Sequence, residues 1–222
     1  MTRLDRRALN RALLERHMLL RRRPRMAPLA AVDRLVGMQA QVPRDPYVGL
    51  WARLDGFKPS VLSRAMEERR AVRMTLFRGT LHLVSSRDAV ALRPLLQPVV
   101  ERSFSGQRGR KEAMAGVDRR RLLTFIRRQL EKQPLTRAEL TRAIEERWPG
   151  SDANALAFAL YLLPTVQVTP RGLWGASGRS AFTTVERWLG RRVSARASID
   201  DLVLRYLETF GPATPADAQY WS

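Results

Sequence analysis

The 222-residue chain has no cysteine, which excludes disulfides, thiolate metal sites and thiol nucleophiles. Histidine is scarce too. His17 and His82 are the two present, too few for a three-ligand metal centre without carboxylate help, and no HExxH or similar spacing occurs. Neither a metal nor another cofactor is therefore expected. No apolar run approaches the ~20 residues of a membrane span, and the first residues are charged instead of resembling a signal peptide. A soluble cytoplasmic protein with no membrane partner follows as the expectation. Lysine is limited to Lys58, Lys111 and Lys132 among 40 basic residues.

What is present is arginine. With only 21 acidic residues the formal net charge is +19 and the isoelectric point near 11.6. Such a field favours a polyanionic partner, nucleic acid first, and would associate the protein with the nucleoid. Codon bias accounts for arginine over lysine but not for the excess over acids. A protein-interaction scaffold is disfavoured by the same charge. Nothing in the composition indicates an oligomeric state.

Helical periodicity dominates the chain. Leu4, Ala8, Leu9, Ala12, Leu13, Met18 and Leu19 recur at helix-compatible spacings up to the run Arg21-Arg22-Arg23 and Pro24. A second helix is expected from Pro28 to near Gln39, an apolar patch from Tyr47 to Leu54, and another helix from Ser60. The stretch "AVRMTLFRGTLHLVSS" is β-branched and apolar, a two-strand ribbon or bent strand around Gly79. The helix "RDAVALRPLLQPVVERSF" follows. Residues 105–117 read as a linker, because glycine, serine and charge replace the apolar period. Then come three helices, "DRRRLLTFIRRQLEK", "LTRAELTRAIEERW" and "DANALAFALYLL", and a hairpin "TVQVTPRGLWGAS" turning at Pro170-Arg171-Gly172.

Three helices and a two-stranded wing make the layout of a winged helix. The expected fold class is mainly α with small β wings, in tandem winged-helix (helix-turn-helix) modules. The expected bounds are 1–104 for the first module, 105–117 for the linker, 118–190 for the second module and 191–222 for the start of a third, incomplete one. An internal repeat supports this, since 122–140 aligns with 202–218. In both, a leucine-rich helix leads through a proline-containing turn to a threonine, Thr136 or Thr214, suited to cap the next helix.

One triplet stands out, Gln39-Ala40-Gln41, just before Pro43. Residues two apart diverge on a helix but share a face on extended chain, and Pro43 pushes Val42 away from helical backbone. If the triplet unwinds, both amides face one cleft. An amide is neither base nor nucleophile at neutral pH, but it can orient a water or a sugar-phosphate edge. Ordinary helix capping by surface glutamines is the other reading of this spacing. In "LFRGTLHLV", strand alternation would put Arg78, Thr80 and His82 on one polar face and Phe77, Leu81 and Leu83 on the other. That face suits a DNA groove, and equally a half-buried strand with a solvated side. Arg44, beside the triplet, and Arg171, at the hairpin turn, are further candidates for contact with the DNA backbone. Helices 119–128 and 137–147 are basic and could meet phosphate, but Glu139, Glu145 and Glu146 make the second mixed, more like a solvated face. The third helix, "DANALAFALYLL", offers little that reads base edges. His17 suits packing better than ligation.

Together, "LVGMQAQVPRDPYVGLWARL", "TLFRGTLHLVSSRDA" and "GPATPADAQYWS" resemble the winged-helix DNA glycosylases of the AlkZ and YcaQ type, in that family's order and over nearly the whole chain. The resemblance implies tandem winged helices and a C-terminal β-rich domain forming a DNA channel. It implies a catalytic motif of glutamine, any residue, then glutamine or aspartate. Gln39 and Gln41 match the AlkZ-like form. The implied activity is DNA repair: hydrolysis of the N-glycosidic bond of N7-alkylated purines in alkylated or interstrand-crosslinked double-stranded DNA. Family members are longer, so a fragment without activity, or a non-catalytic winged-helix DNA-binding protein, is the alternative.

Overall fold

Proline opens several helices of the N-terminal half. A computed structural model describes residues 5–194 and 197–222. Helix α1 (Arg6–Arg16) starts where Asp5 accepts a hydrogen bond from the Ala8 N–H. Pro28, Pro46 and Pro59 lie in the first turns of α2 (Pro28–Arg34), α3 (Asp45–Trp51) and α4 (Pro59–Glu67), where a missing N–H costs nothing. The second helix stops at Arg34, short of the expected Gln39, because Val36 and Gly37 take left-handed backbone with φ of 57° and 98°. A Cβ on Gly37 would lie 2.8 Å from Val84 Cγ1, so this sharp turn needs glycine. It drops the chain onto the sheet as β1 (Met38–Gln39).

The ribbon is present as β2 (Ala71–Thr75) and β3 (Leu81–Ser85), joined by a 3-10 turn over Phe77–Gly79. Both strands are buried on both faces, which explains their continuous apolar character. The expected single helix after them is two, α5 (Ser86–Leu95) and α6 (Gln97–Ser105), parted at Leu96, with Pro98 in the first turn of α6. The expected linker contains helix α7 (Arg108–Ala115), because arginine, lysine, glutamate, alanine and methionine there favour helix despite Gly109. α8 (Arg119–Lys132) lies where periodicity puts it, and α9 (Arg137–Arg147) follows the short strand β4 (Leu135–Thr136). The third predicted helix is α10 (Ala153–Ala157) running into a 3-10 segment, Phe158–Leu162. The wing strands are β5 (Thr165–Gln167) and β6 (Ala181–Thr184), so the return strand lies well beyond the expected turn at 170–172. The intervening loop is held in place by packing, with the Tyr47 hydroxyl donating to Gly172 O at 2.8 Å. Helices α11 (Val185–Leu189), α12 (Ile199–Phe210) and α13 (Pro215–Trp221) complete the chain.

Two units repeat one order: helix, short strand, helix, helix, strand, strand. They are α2-β1-α3-α4-β2-β3 and α8-β4-α9-α10-β5-β6. In each the short strand pairs with the last one, and β2 pairs with β5, giving a six-stranded antiparallel sheet of order β1-β3-β2-β5-β6-β4. Leu122, Ile126, Leu130, Leu140, Ile144 and Phe182 centre the second unit's core. Arg93 joins the units, its guanidinium donating to Leu162 O at 3.1 Å and Tyr161 O at 3.2 Å at the end of the 3-10 segment. Helix α12 returns to the first unit, where Arg205 grips Asp88 through both carboxylate oxygens at 3.1 and 2.5 Å. No helix among the described residues is long and apolar enough to cross a membrane.

Candidate functional site

The Gln39-Ala40-Gln41 triplet ends and continues β1, one of the two edge strands of the sheet. Met38 pairs with Leu83 and Gln39 with His82, so Ala40 faces Leu81. A regular antiparallel pair at that position would exchange two backbone hydrogen bonds. Here one is formed, Ala40 N–H to Leu81 O at 2.8 Å. The other is replaced: Leu81 N–H donates to the side-chain Oε1 of Gln41 at 3.2 Å. The Ala40 carbonyl turns instead toward Arg73, whose Nη2 donates to it at 2.5 Å. Gln39 and Gln41 are exposed while Ala40 between them is buried, the period-two pattern of extended chain.

Arg73 is 2% exposed, and its other guanidinium nitrogen donates to Gln167 Oε1 on the neighbouring strand β5. Among the described ion pairs none includes Arg73. Burial lowers its pKa to about 10; the nearby Arg171 charge acts in the same direction and Tyr47 opposes it, so the group stays cationic at neutral pH. A Cβ at Gly172, where φ is 100°, would lie 2.8 Å from Arg73 Cδ.

Of the five expected DNA contacts, Arg78, Thr80 and His82 meet at one turn, while Arg44 and Arg171 lie on other elements. Arg78 lies in the turn with φ 52°, where its Nη1 donates to Trp221 O at 2.5 Å and its N–H to Ser222 O at 2.8 Å. The Thr80 hydroxyl closes the same turn on Phe77 O at 3.2 Å. His82 is 5% exposed, with its ring edge-on to Phe77 at 5.3 Å. The alternation expected across these residues fails because the turn at 77–79 resets it, so His82 and Phe77 meet instead of opposing each other. His82 Nδ1 lies 3.0 Å from Thr80 O; a carbonyl only accepts, so Nδ1 carries the proton and Nε2 is an unprotonated acceptor. Burial pushes the ring's pKa down to about 4, the Arg78 charge adds to this, and the Thr80 carbonyl opposes it. His82 is the cross-strand partner of Gln39, and its ring is buried.

Arg44 is exposed just ahead of α3. Arg171 is half-buried and donates to Gly178 O at 3.1 Å across its own loop. Arg120, Arg121, Arg128 and Arg147 surround a shallow cleft floored by Phe125 and Trp148, which meet edge to face at 5.2 Å. The third helix is no reading head, since Leu156, Ala157, Ala159, Leu160 and Leu162 are buried. His17 packs on Phe210 at 4.8 Å. Among the described residues no group of three metal-ligating side chains comes together.

Sequence reasoning missed Arg73 and Gln167. A lone arginine inside the apolar run "AVRMTLF" was the available signal.

The DNA glycosylase AlkZ-like family matches the chain over residues 32–222. The chain belongs to that family. Among solved structures, Streptomyces sahachiroi DNA glycosylase AlkZ superposes with a TM-score of 0.68 at 21% sequence identity, over 96% of this chain and 59% of that one. At that identity the AlkZ likeness is one of fold, and the chain spans 59% of the length of AlkZ. No curated protein matches the chain.

Proposed function

We propose that the chain acts as an AlkZ-like DNA glycosylase, binding damaged double-stranded DNA and carrying the reaction centre. The reaction is hydrolysis of the N-glycosidic bond of cationic N7-alkylated purines, those of interstrand crosslinks included. We read each six-element unit as a winged helix, 1–104 and 118–190, with 191–222 opening a third. The order helix, strand, helix, helix, strand, wing, strand supports that reading.

The observation that carries the proposal is the amide pair on the open sheet edge. N7 alkylation puts a positive charge on guanine, so the bond between the base nitrogen and C1′ breaks with the electron pair leaving on a neutral base. Water adds to the oxocarbenium-like sugar and releases a proton to solvent. Little acid catalysis is needed, and a placed water is what helps. Gln39 makes no side-chain hydrogen bond among the described residues, so its carbonyl is available to accept from that water. Gln41 has its side-chain carbonyl occupied by the Leu81 N–H, which leaves its NH2 as the available donor. The two amides thus have different roles. Neither carries charge, which suits a substrate already activated by its own. The exposed Arg44 and the arginine cleft on the second unit supply contact with phosphate.

Base release from a duplex with one N7-methylguanine, scored by alkaline strand cleavage, tests the reading, with Gln39→Ala and Gln41→Ala as controls. Cleavage by the wild type and its loss in both variants is expected. Salt-dependent binding without cleavage would favour the non-catalytic DNA-binding protein.

A further inference from the structure

We infer that Arg73 is a positioning residue for the glutamine pair: by taking the Ala40 carbonyl out of the β1–β3 ladder it leaves the Leu81 N–H free to hold Gln41. This rests on the reading of Gln39 and Gln41 as the reaction centre. Three contacts carry it. Ala40 N–H reaches Leu81 O at 2.8 Å, so the strands are close enough for the reciprocal bond to form. Arg73 Nη2 holds Ala40 O at 2.5 Å instead, and Leu81 N–H turns to Gln41 Oε1 at 3.2 Å.

The exchange has chemical consequences. In a regular ladder Leu81 would take the backbone carbonyl, and the Gln41 amide would be a freely rotating surface group. With its oxygen pinned by the Leu81 N–H, the Gln41 amide is restrained and its NH2 remains available as a donor. The Ala40 carbonyl and the Gln41 N–H belong to one trans peptide and point opposite ways. A cation on the carbonyl side therefore aims the Gln41 N–H away from the buried guanidinium and strengthens it as a donor.

Arg73 is itself fixed on three sides. Gln167, its register partner on β5, takes the other nitrogen. Gly172 leaves room for its methylenes, where a Cβ would approach within 2.8 Å. Tyr47 donates to Gly172 O at 2.8 Å and anchors that loop. The wing loop of the second unit thus reaches the edge strand of the first through one buried side chain. A buried cation is costly to desolvate, and a methionine would fill the same core more cheaply. Its hold on Ala40 gives the cost a purpose.

The test compares Arg73→Met and Arg73→Lys with the wild-type chain by two readouts. The first is the single-turnover rate of N7-methylguanine release at saturating protein, beside DNA affinity. The second is the NMR resonances of the Gln41 side-chain NH2 and the Leu81 amide in the free protein. Arg73→Met should slow base release by about a hundredfold, as expected when a reacting group is misplaced by about an ångström, while DNA affinity stays within about threefold. Its Gln41 NH2 signals should move to those of a solvated amide. Arg73→Lys, with one donor group for two acceptors, should recover part of the rate. If Arg73→Met fails to fold, Gln167→Glu serves, because a carboxylate there draws the guanidinium off Ala40 and should shift the same resonances. Unchanged Gln41 and Leu81 signals in a folded variant would overturn the inference. Moved signals in a chain that releases no base even as wild type would uphold the positioning and overturn the glycosylase reading instead.

Discussion

The two units end their sheet with the same element and use it differently. In the second unit the edge strand, Leu135–Thr136, runs straight into α9 through a capping box: the Thr136 side chain accepts from Glu139 N–H, and Glu139 accepts from Thr136 N–H at 2.8 Å. In the first unit the edge strand, Met38–Gln39, is followed by residues 40–44 outside regular structure, and α3 has no side-chain cap. One edge is closed by local hydrogen bonds, while the other is held open by a buried arginine and displays two amides. A repeated fold thus separates a version of a junction closed by its own hydrogen bonds from one that leaves two amides exposed.

Destabilising the closed unit sharpens the contrast most. Ile126 is fully buried in the second core. Ile126→Ala should cost about 2–5 kcal/mol in urea unfolding, with base release per folded molecule unchanged.

Acid should act on the first unit next. His82 has a folded pKa of about 4 against an ordinary value near 6.5, so between those limits the unfolded chain binds the extra proton. Stability is complete above pH ~6.5 and falls as pH drops toward ~4, by on the order of 3 kcal/mol. A His82→Gln variant should lack that slope; urea midpoints at pH 7 and pH 4.5 decide it.

The capping box gives the smallest effect. Thr136→Ala should lower stability by about 1 kcal/mol. Glu139, held at about 2 by the Thr136 N–H first and then by Arg179, should add acid sensitivity only between pH ~4.5 and ~2, below the His82 window. A Glu139→Gln variant should lose that lower phase and keep the upper one. Equal sensitivity of both phases to Glu139→Gln would break the comparison.

Legibility in the sequence followed the range of the signal. Thr136 and Thr214 were readable as caps because a capping box is four residues long, and both boxes are formed. Periodicity over fourteen residues located α8. The strands Met38–Gln39 and Leu135–Thr136 were not readable, since two residues carry no period and each exists through a partner more than forty residues away. The hairpin misled because alternation assumes unbroken extended chain, and left-handed Arg78 and Gly79 interrupt it. Gln39 and Gln41 were visible as an oddity in an arginine-rich chain. That one amide is pinned and the other free was not visible, because the distinction depends on Arg73, reached only through the strand pairing.

The most direct measurement sets the two edges side by side in single-turnover base release, with Gln39→Ala for the open edge and Thr136→Ala for the closed one. Gln39 is exposed, so its variant should keep its stability within about 0.5 kcal/mol and lose about a hundredfold or more in rate, whereas Thr136→Ala should lose stability and keep its rate. Full base release by a folded Gln39→Ala protein would contradict the account.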